Sequence, residues 1–237
     1  MDPPCIWEQR SPNDLAGVAL KREGKIERTT RETSISVHVL LNGCSEDTSV
    51  ETGTPFLDEF YTVLANEACM TLKIKCKGDL WVDDHHTAED VSIAIGQCLT
   101  QALGSKAGLN RMWLSEATRE SANVEVTMDL SNRPYFEHNL HETLGRQEYV
   151  DDCGNDGKVT DNGALLSCEM LEHCFDSLVM NSRMTVHIVQ KEAKEESSVA
   201  DVCLCTAMAF GRALRVCSMV DQRRAGTTAS SKGTLSV

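Results

Sequence analysis

The chain has 237 residues, 41% of them hydrophobic and 25% charged, with a formal net charge of −13. That length supports one large domain or two small ones around a substantial core, and the acidic balance excludes a general binder of nucleic acid or anionic membrane, since both are themselves negative. No apolar run approaches the roughly 18 residues of a membrane span, and the start, MDPPCIWEQR, carries neither the apolar core of a secretory signal nor an Arg-rich, acid-free transit helix.

The 11 cysteines are scattered and never spaced as CxxC. That fits reduced thiols inside a cell, in the cytoplasm first and in a mitochondrion or other organelle second, rather than a disulfide framework or a zinc ribbon. Residues 1–24 mix Pro, Gly and charge without a period and read as a tail. TSISVHVLL (33–41) alternates Ile35, Val37 and Val39 as a half-buried strand does, and MTLKIKC (70–76) repeats the pattern. From His86 to Leu103 the spacing becomes helical, through Val91, Ala94, Ile95, Cys98, Leu99 and Ala102, until Gly104 stops it. NVEVTMDL (123–130) reads as a strand turned by NRPY, and 137–163 as a long polar loop. A helix over 166–182, a strand over 184–189 and a helix over 198–220 complete the pattern before a polar tail.

An internal echo runs through this order. MTLKI (70–74) and MTVHI (184–188) agree at three of five positions, and each precedes a long helix. At a shift of 112, His85, His86 and Glu89 fall on Ser197, Ser198 and Asp201. The chain therefore reads as a duplicated strand-then-helix unit.

His85, His86 and Glu89 form an HHxxE pattern at a helix start. Residues three and four apart share a helix face while neighbours diverge by about 100°, so Glu89 lies near both histidines, and the two rings are suited to separate ions. Imidazole with carboxylate suits manganese, iron or zinc. The plainer reading is a solvated helix start capped by Asp83 or Asp84.

The residues around the triplet resemble the imidazoleglycerol-phosphate dehydratase family. GDLWVDDHHTAEDVSIAIG (78–96) matches its central motif almost throughout. RTTRETSI (28–35), TGTPFLDEF (52–60), LNR (109–111), DLSNRPY (129–135), EMLEHCFDSL (169–178), MTVHI (184–188) and SSKGTL (230–235) follow its motifs in order. The resemblance implies an α/β (α+β) fold of two ribosomal protein S5 domain 2-like halves, each a small sheet with helices packed on one face. The expected divisions are a tail at 1–24, a first half at 25–119, a second half at 120–221 with an insertion near 148–163, and a tail at 222–237 carrying the phosphate motif. It implies removal of water from imidazole glycerol phosphate in histidine biosynthesis, with manganese at subunit contacts of a large shell.

By the same resemblance His85, His86, Glu89 and His187 are metal ligands, Arg111, Arg133, Ser230 and Lys232 hold phosphate, and Glu32 is an acid–base group. Departures stand beside these matches. Glu59 and Glu67 occupy expected histidine positions, Ser197, Ser198 and Asp201 replace the second HHxxE, and Cys205 replaces a phosphate-binding lysine. Neutral hydroxyls do not substitute for imidazoles, so manganese is expected to be weak or absent. The expectation is a pseudoenzyme, kept as a binding or assembly module. It would bind imidazole glycerol phosphate or another small phosphate, and would self-associate or take protein partners. The alternative is a working manganese-dependent dehydratase.

Overall fold

The computed structural model describes residues 22–145, 149–150, 165–191, 197–224, 226–230, 232 and 235. The first half runs β1 (Glu23–Thr29), β2 (Thr33–Leu40), β3 (Ser49–Glu51), α1 (Pro55–Ala68), β4 (Thr71–Gly78) and α2 (His85–Leu103). The second runs β5 (Met112–Arg119), β6 (Ala122–Asp129), β7 (Tyr135–His138), the single turn α3 (His141–Leu144), α4 (Cys168–Ser182), β8 (Thr185–Gln190) and α5 (Val199–Ser218). The sheets have matching orders, β1-β2-β4-β3 and β5-β6-β8-β7. In each, three strands are antiparallel and the third strand of the half joins the edge in parallel. The expected duplication is therefore present.

The expected strands are the central ones. Ile35, Val37 and Val39 of β2 face inward and are no more than 3% exposed. The helices expected over 86–103, 166–182 and 198–220 are α2, α4 and α5. Several boundaries differ. Glu23 and Gly24 belong to β1 rather than to a tail. Because β5 pairs with β6, the halves divide between Leu103 and Met112 rather than at residue 119. Glu137 and His138 lie in β7 and His141–Leu144 form a helical turn, within a stretch read as loop. Most of the expected insertion near 148–163 lies outside the described residues.

The helices lie between the sheets. α2 covers β1 and β2, α5 covers β5 and β6, α4 packs on α2, and α1 packs on α5. α1 is amphipathic, starts with Pro55 at its first turn, and buries Phe56, Leu57, Phe60, Tyr61 and Leu64. Phe60 meets Phe175 of α4 edge-on at 5.3 Å. The buried Tyr61 hydroxyl lies 2.6 Å from Ser92 Oγ of α2, which satisfies a phenol that could not otherwise be buried without cost. Among the described residues no helix is long and apolar enough to cross a membrane.

Candidate active site

The triplet sits where α2 begins. The side chain of Asp84, at the N-cap, does not bond its own helix. Its carboxylate accepts the Ser167 amide at 2.6 Å and the Ser167 hydroxyl at 2.8 Å, tying the starts of α2 and α4 together. Asp83 takes the neighbouring role and accepts the His85 amide at 3.0 Å. His86 Nδ1 faces both oxygens of Asp79 at 3.2 and 3.1 Å. This hydrogen bond pushes the His86 pKa up, and it fixes the ring with Nε2 free, as a carboxylate behind a metal-binding histidine does. His85 Nε2 and Glu89 Oε2 are 3.7 Å apart, both well exposed, beyond hydrogen-bond length.

A fourth group joins them that the sequence reading missed. The His173 ring of α4 lies 5.3 Å from that of His85. The duplication carried the signal: with Met70 placed on Met184, a shift of 114, Glu59 of α1 falls on His173 of α4. The two helix pairs are thus counterparts. At α2 and α4 stand His85, His86, Glu89 and His173, and at α5 and α1 stand Ser197, Ser198, Asp201 and Glu59.

The second set is occupied with structural contacts. Ser198 caps α5 by accepting the Asp201 amide at 3.0 Å, and its hydroxyl donates to Asp201 Oδ2 at 2.7 Å. Asp201 also holds Arg119 at 3.1 Å, and Ser197 accepts from the Ser121 hydroxyl at 3.2 Å. Glu67 is clamped by Arg212 through two hydrogen bonds, of 2.8 and 3.2 Å. His187 alternates with the buried Val186 and Ile188, so it lies on the outer face of its sheet, where Tyr135 packs against it at 5.6 Å. The structure does not bring His187 to the triplet within one chain. Glu32 is exposed in the β1–β2 turn and lies within electrostatic reach of His86. Arg28 and Thr33 both bind the Asp90 carboxylate of α2, which pins that turn to the helix.

The phosphate positions gather beyond the other end of α2. Arg111 gives Nε and Nη2 to the two oxygens of Asp129 at 2.7 and 2.8 Å, and Nη1 to the Ala229 carbonyl. Asn132 donates to the Leu235 carbonyl. These bonds bring Ala229 and Ser230 beside Arg111, with the Lys232 amide donating to the Ser230 hydroxyl at 3.2 Å, and leave Arg133 exposed next to Asn132. Lys106 also points here, its Nζ donating to Asn132 Oδ1 at 2.5 Å. Sequence reasoning missed it because a lone lysine in a GSKAG turn carries no period. Cys205 is buried, its thiol donating to the Ala117 carbonyl at 3.1 Å, and supplies no cation.

The α2–α4 set fits a divalent borderline ion, because it offers imidazole nitrogens, a carboxylate and an orienting acid behind one ring. The α5–α1 set does not fit, since it offers no imidazole and both its hydroxyls and the Asp201 carboxylate already have partners. The two described ends are separated by the 19 residues of α2, about 28 Å of helix.

The family description "Imidazoleglycerol-phosphate dehydratase" matches residues 52–214. The Arabidopsis thaliana imidazoleglycerol-phosphate dehydratase 1, chloroplastic, is 37% identical over 226 residues, covering 95% of this chain and 76% of that protein. A Prochlorococcus marinus imidazoleglycerol-phosphate dehydratase is 36% identical over 214 residues, covering 90% and 93%. The fold matches the dehydratase crystal structures from Pyrococcus furiosus, with TM-score 0.66, 23% identity and coverage of 88% and 99%, and from Staphylococcus aureus, with TM-score 0.65, 22% identity and coverage of 84% and 99%. The duplicated sheets, the HHxxE start of α2 and these likenesses agree: the chain belongs to the imidazoleglycerol-phosphate dehydratase family.

Proposed function

We propose that the chain is a manganese-dependent hydro-lyase that removes water from imidazole glycerol phosphate in histidine biosynthesis, working from one intact ligand set. The observation that carries this is the α2–α4 cluster, where Glu89 and the His173 ring each lie near His85 and Asp79 orients His86. Manganese, when bound there, supplies Lewis acidity that eases loss of a proton from an unactivated carbon. The chain's own groups do the rest. His85, His86, Glu89 and His173 would be the ligands, the two adjacent rings facing separate ions, and His187 contributes only if a neighbouring subunit presents it. Glu32, beside His86, is the acid–base group. Arg111, Arg133, Ser230 and Lys232 hold the phosphate, for which guanidinium and ammonium groups are suited, and Lys106 adds a further cation. The relatives named above carry the dehydratase name and are matched over 76% and 93% of their length, which supports the same chemistry here.

A second reading has its own observation. Ser197, Ser198, Asp201 and Glu67 are committed to a helix cap and to ion pairs, so one metal position has lost its ligands. A pseudoenzyme would keep the substrate pocket as a binding or assembly module, and with weakened metal contacts it would form a smaller oligomer than the family's shell. Elemental analysis and a turnover assay of the full chain in excess manganese separate the readings. The dehydratase reading expects bound manganese and turnover, both lost in His85→Ala and both kept in Ser197→Ala. Phosphate-ligand binding without manganese or turnover establishes the pseudoenzyme.

A further inference from the structure

We propose that this chain carries a second, separate cation site, for zinc, formed by His138, His141 and Glu172. The three residues come from the end of β7, the turn α3 and the helix α4, and their ligand atoms lie within 4.8 Å of one another. His138 Nε2 stands 3.3 Å from Glu172 Oε1, close to the separation of two donors that share an ion at about 2.1 Å each. The His138 and His141 rings are 4.5 Å apart between centroids.

The site is built rather than accidental. The His138 side chain is 5% exposed, and it stacks on Phe136 at 5.0 Å, so its position is set by packing. His141 is exposed and Glu172 half-buried, which leaves an entry path from solvent. Glu137, Glu169 and Asp176 line the same depression and deepen its negative potential. Glu169, Glu172, His173 and Asp176 follow one another at helical spacing along α4. Glu172 and His173 are neighbours and diverge: His173 turns to His85, whereas Glu172 turns to His138. The two clusters are therefore adjacent, with His173 at the rim of the same depression, but the three zinc ligands are not among the manganese ligands.

Two imidazoles and one carboxylate, with a position left for water, make a donor set that zinc takes tetrahedrally. Loading involves a definite proton movement. His138 Nδ1 accepts the Leu140 amide at 3.1 Å, so the neutral ring carries its proton on Nε2, toward Glu172. Zinc takes the Nε2 lone pair, the ring proton moves to Nδ1, and the Leu140 amide loses its acceptor. No proton is lost from the ring overall. The released amide opposes loading, so the site is a moderate binder, and the loss marks occupancy by an observable of its own.

Zinc titration of the full-length protein against a chromophoric chelator tests the site, alongside amide exchange at Leu140. The expected result is one zinc per chain in the His85→Ala background, where the α2–α4 cluster does not compete, that adding His141→Ala or Glu172→Gln weakens at least tenfold, with faster exchange at Leu140 on loading. His141 and Glu172 are solvent-accessible, so both variants keep the fold, which circular dichroism checks. The proposal is overturned if zinc is not bound, if binding survives both substitutions, or if it disappears in His85→Ala. Because the readout is zinc rather than turnover, its failure is distinct from failure of the dehydratase reading.

Discussion

At Lys106 a side chain does what its sequence context gave no reason to expect. It is 2% exposed and sits in a left-handed turn, φ 59°, with its ammonium against Asn132. Burial, and then the nearby Arg183 and Arg111, lower its pKa from 10.5 to about 8. Between those two values the unfolded chain holds a proton that the folded chain has released, so this residue makes stability rise as pH climbs through the window. Lys106→Met should flatten that rise, read as the difference between the two proteins' thermal midpoints at pH 8 and pH 10. A phosphate bound beside Arg111 and Lys232 would favour the charged ammonium, so at pH 9 phosphate-ester binding should take up a proton in the wild type and not in Lys106→Met, as calorimetry in buffers of different ionisation heat would show. Equal proton uptake by the two proteins would place Lys106 outside the anion's field.

Among the elements, the four central strands and three of the long helices were legible because burial imposes a strict period on them. The edge strands were not. β1 has one buried residue, and β5 exposes Met112, Trp113 and Leu114, so neither alternates cleanly. α1 has helical spacing throughout, at Phe56, Phe60, Leu64 and Ala68, but its FLDEF opening coincides with a family motif that masks the period. The metal cluster was legible on α2 and illegible on α4, since His173 reaches His85 only through the α2–α4 crossing. That crossing has a tight tolerance. A Cβ on Gly96 would stand 2.7 Å from Asn181 Cβ and 2.8 Å from the Leu178 carbonyl oxygen. Gly96→Ala should therefore destabilise by about 1–3 kcal/mol from overpacking, against the roughly 1 kcal/mol that Ala gains over Gly in an open helix. It should also weaken manganese retention, because it separates His173 from His85. A stability gain in urea unfolding would show that the helices part without cost. The α5 start behaves in the opposite way. Ser198→Ala removes the cap from Asp201 and should cost about 1 kcal/mol, yet leave manganese content unchanged, because its hydroxyl serves the cap. Loss of manganese in Ser198→Ala would reinstate the second ligand set.

Taken as a whole, the molecule keeps its two chemistries apart. The proposed metal ligands open the 19-residue helix α2, and the proposed phosphate residues lie past its other end, about 28 Å away. A substrate whose imidazole and phosphate are joined by a three-carbon chain cannot reach both within one chain. The dehydratase reading therefore requires that one subunit's triplet face another's Arg111, Arg133 and Lys232, which agrees with the family resemblance of metals seated at subunit contacts. Symmetric assembly repeats that heterologous contact around the particle, and this makes mixing informative. His85→Ala removes the metal half of every site and Arg133→Ala the phosphate half; both side chains are exposed, so both chains should fold and assemble. Each homogeneous variant should turn over imidazole glycerol phosphate at background. Co-refolded in equal amounts, half the metal halves and half the phosphate halves are intact, and they meet at random. Activity should then recover to about a quarter of wild type. A single-chain site recovers nothing, because every chain carries one defect. Background turnover in the mixture, with a wild-type control refolded in parallel at full activity, would place the whole site within one subunit and remove the geometric basis for reading His187 as a contribution from a neighbour.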